Sequence, residues 1–397
     1  MIMIRSTAGL WRMSLAVLAL VLAPASGRAA TAIAPTHGSQ VLETLAAPTV
    51  RIQSAVATAV TPPDMATRAA QVRAEIGLAR QTGDNRHWGR AQALLAPWWD
   101  RPAAPIDMLV LQATVQQGRH AFDAARAVLR EAVARAPDHA QAWLALAALE
   151  RLRADYPATL RACDAVARAG AIHYAAACRL ESLSLQGRHD AAATGLRALI
   201  ESSQTAEQRS WLLSLLAEAL ERAGQEAQAE QAFRDSLGAA PDLYTGIALS
   251  DLLLRTGRAA AALAVLQPLA ETDAVLLRRS VAMRRLGDPG WTADRAMLTS
   301  RAAELVRRGD DPDLHGREAA LTALWLDDDP AQALRLARRN LQLQREPVDW
   351  WVALASASQA GDTEAWTELQ RQRSTLGLRD KRLERILPPS GTAAARP

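Results

Sequence analysis

Cys163 and Cys178 are the two thiols of this 397-residue chain. Cys163 lies seven residues before Gly170, and Cys178 lies seven after Ala171. If helices flank a turn there, they run antiparallel and bring the two positions side by side. In an oxidising compartment such a pair could form a disulfide, provided the Cα atoms come within ~7 Å. The alternative is two small core residues, since cysteine buries well. Two cysteines without paired histidines make a poor zinc site. His37, His87, His120, His139, His173, His189 and His315 are dispersed along the chain. His120 and His189 each end a Gly-Arg-His string and read as packing residues in interhelix turns. The acidic runs ending in Asp313 and Asp329 resemble fragments of calcium loops. They lack the ligand spacing and the closing glutamate, so helix capping is the expected role. No nucleophile elbow and no glycine-rich phosphate loop occurs. The chain therefore reads as non-enzymatic, with no cofactor and no metal site expected.

The elements that must position any site are helical. Apolar residues make up 49% of the chain, yet only 4% of it is aromatic. Alanine and leucine dominate over β-branched residues, a mixture that favours helix. Thr61-Pro62-Pro63-Asp64 ends an Ala/Thr/Pro/Ser-rich lead-in, with Asp64 a helix N-cap. From Met65 the 3.6-residue periodicity hardly stops until Leu387. Glycines punctuate it: Gly118 to Gly187 is 69 residues, and Gly187, Gly224, Gly257 and Gly287 then follow at 37, 33 and 30. A period near 34, built from helix, turn and helix, is the mark of a stacked repeat array.

The clearest unit spans residues 207–241. Trp211, Leu213, Leu216, Ala217 and Leu220 form the stripe of its first helix, with Thr205 and Gln208 as a capping box. Gly224 makes the turn. Ala229, Phe233 and Ser236 share a face of the second helix, and Pro241 stops it. Here the chain resembles the tetratricopeptide-repeat (TPR) family, whose turn glycine, small residue, aromatic, small residue and proline stand at these relative positions. The same frame fits Trp143, Leu146, Ala147, Tyr156 and Thr159. It also fits Ala192, Leu196 and Leu199 after Gly187, and Ala262, Leu266 and Leu269 after Gly257. Trp350 with Gly361 fits near the end, and looser copies begin near Met65 and Leu314, the latter with Asp328 at the turn. The resemblance implies an all-α, right-handed solenoid of about nine helix-turn-helix repeats. Its N-terminal part would span 64–287 and its C-terminal part 288–387. The latter follows a break at Asp288-Pro289-Gly290-Trp291 and closes with a capping helix from Leu378 to Leu387. The stretch from Arg345 to Trp350 also resembles the end of some exported bacterial TPR proteins, which brings no activity with it.

In TPR arrays the first helix of each pair lines the concave side. Carried over position by position, the candidate binding surface is Tyr174, Glu181, Trp211, Glu218, Glu221, Tyr244, Asp251, Arg255, Arg284, Arg285, Trp325 and Trp351. Its order from acidic to basic would give a polarised groove suited to an extended peptide. The resemblance thus implies a scaffold or adaptor for a protein or peptide partner, within an envelope complex. A polysaccharide-binding assembly factor is the rival reading, and a helical-repeat enzyme a remoter one.

The first 30 residues read as a secretory signal peptide. Arg5 and Arg12 precede an apolar run from Met13 to Leu22, and small residues around Gly27 and Ala29 offer a cleavage site. That run is shorter than the ~20 residues a membrane span needs, and no cysteine offers a lipid anchor. Residues 31–63 read as a flexible lead-in and 388–397 as a disordered tail. The expectation is a periplasmic or secreted chain with no transmembrane span after cleavage. The formal charge of +4 falls to about +1 once Arg5, Arg12 and Arg28 are removed. Lys381 is the sole lysine among 46 basic residues, which are interspersed with 42 acids. No dense basic face argues for nucleic acid.

Overall fold

The computed structural model describes residues 64–307 and 316–389. The predicted signal segment at 1–30, the predicted lead-in at 31–63, the acidic run at 310–313 and residues 390–397 lie outside the described residues. The chain divides into units 1–60 and 61–397, and every described residue belongs to the second. Among the described residues there are nineteen helices and no strand.

Eighteen of the helices form nine successive pairs. These are α1 (Met65–Thr82) with α2 (Arg86–Leu95), α3 (Ile106–Gly118) with α4 (Phe122–Arg135), and α5 (Ala140–Leu152) with α6 (Tyr156–Arg168). Then come α7 (Ile172–Leu185) with α8 (His189–Glu201), α9 (Ala206–Arg222) with α10 (Glu226–Ala239), and α11 (Leu243–Arg255) with α12 (Ala259–Leu266). The last three are α13 (Asp273–Arg285) with α14 (Trp291–Arg307), α15 (Gly316–Trp325) with α16 (Pro330–Leu343), and α17 (Pro347–Gln359) with α18 (Thr363–Leu376). A single-turn helix, α19 (Lys381–Glu384), follows. Within every pair the two helices pack together, most consecutive pairs meet, as α4 with α5 and α6 with α7, and the first helices of adjacent pairs also touch, as α5 with α7 and α7 with α9. That is the contact pattern of a solenoid.

One backbone device makes most of the hairpins. His120, Ala154, Gly187, Gly224, Gly257, Gly287, Asp328 and Gly361 all adopt left-handed backbone, 30 to 41 residues apart. In most of these turns the next residue donates its N–H back into the helix. Ala121 donates to Gln116, Asp155 to Glu150 and Gln225 to Leu220, at 2.8, 2.9 and 2.9 Å. This satisfies carbonyls that a helix end leaves orphaned. Five residues beyond the left-handed position stands a small buried side chain in six of the eight, namely Ala125, Thr159, Ala192, Ala229, Ala262 and Ala333. Nine beyond stands a larger buried one in four of the eight, as with Leu129, Leu196 and Phe233. Cys163 occupies that seat after Ala154. A disulfide joins it to Cys178, Cα to Cα 5.7 Å, and so ties α6 to α7. Closing a loop of this length is worth ~3 kcal/mol in the chain-entropy account.

Gly118 is not the turn residue that its spacing suggested. It ends α3, and His120 takes the left-handed position, its ring stacked on Phe122 at 5.5 Å. Gly118 is glycine for a different reason: a Cβ there would lie 2.4 Å from the ring of Trp88. Gly118→Ala is expected to lower unfolding free energy by ~1–3 kcal/mol through overpacking. A companion Trp88→Leu change should relieve part of that loss in urea melts.

Other local expectations differ in detail. Thr205 caps α9 by accepting from the N–H of Gln208 at 3.1 Å. The Gln208 side chain accepts from Gln204 at 2.8 Å rather than from Thr205, so the box is displaced by one residue. Asp327 and Asp328 pair with Arg295 and Arg284, and Asp329 caps α16. The closing helix predicted from Leu378 to Leu387 shrinks to α19, because the buried Asp380 and its half-buried partner Arg382 hold the segment in a tight turn.

The last repeats fold back against the inner ends of the early ones. The Arg345 N–H donates to Leu152 O at 2.7 Å and the Arg379 N–H to Leu185 O at 2.9 Å. These carbonyls end α5 and α7, one repeat apart, and each would otherwise lack an intrahelical donor. Leu378 and Leu383 are fully buried, and α19 packs on both α9 and α17. At the other end of the array, a Cβ on Gly83 would meet Thr272, the N-cap of α13, at 2.3 Å. The concave side is therefore occupied along part of its length by the chain itself.

Candidate functional site

An open cleft of about 710 Å³ remains on the inner face of α5, α7, α9 and α11. The turn frame explains its chemistry. Tyr174, Trp211 and Tyr244 each stand thirteen residues before a left-handed glycine, at Gly187, Gly224 and Gly257. Glu181, Glu218 and Asp251 each stand six before the same glycines. Seven residues are two helical turns, so each aromatic and its acid share one helix face. Three consecutive repeats thus carry an aromatic rung and an acidic rung. The flanking repeats do not: the equivalent positions are Gln141 and Ala148 before, and Ala274 and Val281 after.

Five of the twelve candidate residues line the cleft: Tyr174, Glu181, Trp211, Glu218 and Tyr244. The Tyr174 and Trp211 rings lie 5.7 Å apart, tilted, and Tyr174 and Tyr244 are 42% and 58% exposed. The Tyr244 hydroxyl donates to Glu218. The Glu218 charge holds the phenol pKa well above its ordinary value, so Tyr244 keeps its proton. Glu218 also pairs with Arg222 at 3.3 Å. On the cleft floor Glu181 faces Arg151 at 3.2 Å. Burial lifts the Glu181 carboxyl above the usual range despite that partner. Burial alone would lower the Arg151 guanidinium, but Glu181 and Glu346 outweigh it and the net shift is upward.

The other seven candidates are engaged inside the fold. Glu221 is buried between Arg255 and Arg382, the latter at 2.6 Å. Asp251 holds Arg278 through two bonds of 2.8 and 2.9 Å. Arg284 donates to Trp325 O at 2.8 Å and pairs with Asp328, and Arg285 donates to Leu254 O. Trp325 and Trp351 pack on each other at 5.8 Å. These seven do not line the open cleft, because each charged one is held by a partner inside the fold.

Sequence reasoning missed Arg80, Arg151 and Glu207, which also line the cleft. Arg151 ends a first helix and was legible in principle, at the repeat position that Glu221 fills elsewhere. Arg80 comes from α1 and reaches the cleft only through the fold-back. It forms no ion pair among the described residues. No group of three or more metal-binding side chains occurs among the described residues, and none of their helices is long and apolar enough to cross a membrane.

This architecture is the tetratricopeptide-repeat fold. A Rap protein complexed with Competence and Sporulation Factor matches it with a TM-score of 0.50 at 10% identity, covering 81% of this chain and 87% of that one. The Rap conjugation gene regulator of plasmid pLS20, in complex with the Phr* peptide, matches with a TM-score of 0.43 at 12% identity, over 81% and 96%. In sequence, the chain is 32% identical over 323 residues to Cellulose synthase 2 operon protein C of Komagataeibacter xylinus. That match takes in 72% of this chain but spans only 24% of the relative's length. No family model matches the chain.

Proposed function

We propose that the protein is an exported scaffold that holds an extended segment of a partner protein in the aromatic cleft, as part of a bacterial envelope assembly. The carrying observation is the three-repeat ladder of Tyr174, Trp211 and Tyr244 beside Glu181 and Glu218. Partly exposed aromatics in a preformed recess offer large contact area at low entropic cost. Glu207 and Glu218 suit basic or hydrogen-bond-donating groups on the ligand. The part these residues play is binding and orientation, with no bond made or broken.

A second reading has its own support. The relative's name ties that protein to a cellulose synthase operon. Aromatic rungs flanked by carboxylates also suit the faces and hydroxyls of a sugar chain. A peptide array and a β-glucan oligosaccharide array, probed with the same protein, separate the two. Whichever ligand binds, replacing Trp211 and Tyr244 with alanine is expected to weaken it by ~2–4 kcal/mol, about 30- to 1,000-fold. The array itself should stay folded in circular dichroism. Unchanged affinity in the folded double variant would remove the cleft from consideration.

A further inference from the structure

We propose that a second pocket, between α16, α17 and α18, is an anion site that takes the phosphate of a phosphate ester. It encloses about 440 Å³ and shares no lining residue with the aromatic cleft. The inference is independent of what the cleft holds.

Three guanidinium groups reach this pocket: Arg338 from α16, Arg345 from the loop after it, and Arg371 from α18. Glu368 is the one carboxylate among the lining residues, and it engages Arg371 through bonds of 2.9 and 2.7 Å. Arg345 donates its Nε to Leu341 O at 2.9 Å, and its two terminal nitrogens have no partner among the described residues. Arg338 makes no hydrogen bond or ion pair among them. The pocket therefore carries a net charge of +2, with most guanidinium donors unanswered.

A second observation lies in the wall. Trp350 is 1% exposed and lines the pocket, yet its Nε1–H has no acceptor. An orphaned buried donor costs ~1–3 kcal/mol. Arg317, by contrast, is answered by Glu346 and Asp349 at 2.7 Å each. The Trp350 side chain and the Arg338 and Arg345 guanidinium groups meet at this one recess. A tetrahedral oxyanion supplies acceptors to two or more guanidinium forks at once, which is the geometry arginine matches best. Leu341, Leu369 and Leu376 line the rest. The recess exceeds the size of an inorganic anion, so the apolar wall is left for the organic part of an ester. The backbone bond from Arg345 to Leu152 anchors one cation to α5, so the site is held by the fold-back rather than by one hairpin.

The test uses the full chain at low salt. Glycerol phosphate is titrated by calorimetry, with citrate as the carboxylate control. Phosphatidylglycerol vesicles are compared with phosphatidylcholine vesicles by co-sedimentation. Binding of glycerol phosphate assigns a soluble ester, and binding confined to phosphatidylglycerol assigns a lipid headgroup. Either result supports the site if Arg338→Gln with Arg345→Gln weakens it about tenfold or more, as loss of charged hydrogen bonds requires. An unchanged circular dichroism melt shows that this variant is folded; if it is not, Arg338→Gln alone, at an exposed side chain, gives the same comparison. The proposal is overturned if neither phosphate probe binds the wild-type chain, if the folded variant binds as well as wild type, or if citrate binds as tightly as glycerol phosphate.

Discussion

Asp349→Ala is expected to remove about 3–5 kcal/mol of stability, the range for stripping one partner from a buried ion pair. The Asp349 side chain is fully buried. It receives Arg317 through bonds of 2.7 and 2.9 Å, the Asn340 amide at 2.7 Å and the Glu346 N–H at 2.8 Å. The last of these is part of the capping box that starts α17. Truncation leaves the Arg317 charge with Glu346 alone, strands the Asn340 donor and uncaps the helix. The effect reaches beyond the last repeats. Glu346 also faces Arg151 at 3.5 Å, and Arg151 holds Glu181 on the cleft floor. A continuous ionic chain thus runs from α15 to α7. Urea titration measures the loss, and hydrogen exchange should show α5 and α7 opening more often. A loss below ~1 kcal/mol would mean that Asp349 is solvated and the chain of pairs is not formed. Asp349→Asn, which keeps the shape and two acceptor lone pairs, should cost less.

Gly83→Ala is the second large effect, about 2–4 kcal/mol, and has two separable sources. Gly83 ends α1 with φ +66°, a conformation that costs an L-residue ~1–2 kcal/mol. The added Cβ would also sit 2.3 Å from Thr272 Cγ2, an overlap worth ~1–3 kcal/mol. Thr272→Ser deletes that methyl and keeps the hydroxyl that caps α13 through Val275 at 3.2 Å. The pair Gly83→Ala and Thr272→Ser should therefore recover the packing part and leave the backbone part. A double-mutant cycle that shows no coupling would mean that α1 does not meet α13. Because Arg80 lies one turn before Gly83, the same variant should also loosen the rim of the cleft.

Much of the architecture was legible because each hairpin is a local problem. A left-handed residue, a small residue five later and an apolar stripe lie within one 34-residue window. Their spacing survives in Gly187, Gly224 and Gly257 even where the rest diverges. The non-glycine turns at His120 and Ala154 were harder. There the left-handed backbone is imposed by the helices on either side rather than announced by residue type. Gly118 misled for the converse reason: it answers to the ring of Trp88, thirty residues earlier, and not to its own φ.

The candidate surface was legible only as far as it depends on repeat register. Tyr174, Trp211, Tyr244, Glu181 and Glu218 share the inner face because their offsets from the turn place them there. The fate of the remaining charges depends on partners one repeat away or much farther, as with Arg382, which reaches Glu221 across 161 residues. No local window contains both ends of such a pair.

The amino-acid order alone therefore determines the helical hairpins, their number and the face each side chain takes, because turn geometry and helical period act over a few residues. The tertiary fold decides which part of the inner surface stays open, which charges are neutralised, and that Arg80 reaches the cleft. Those outcomes depend on superhelical curvature, which accumulates small rotations from pair to pair until the start of α13 meets the end of α1 and α19 meets α9.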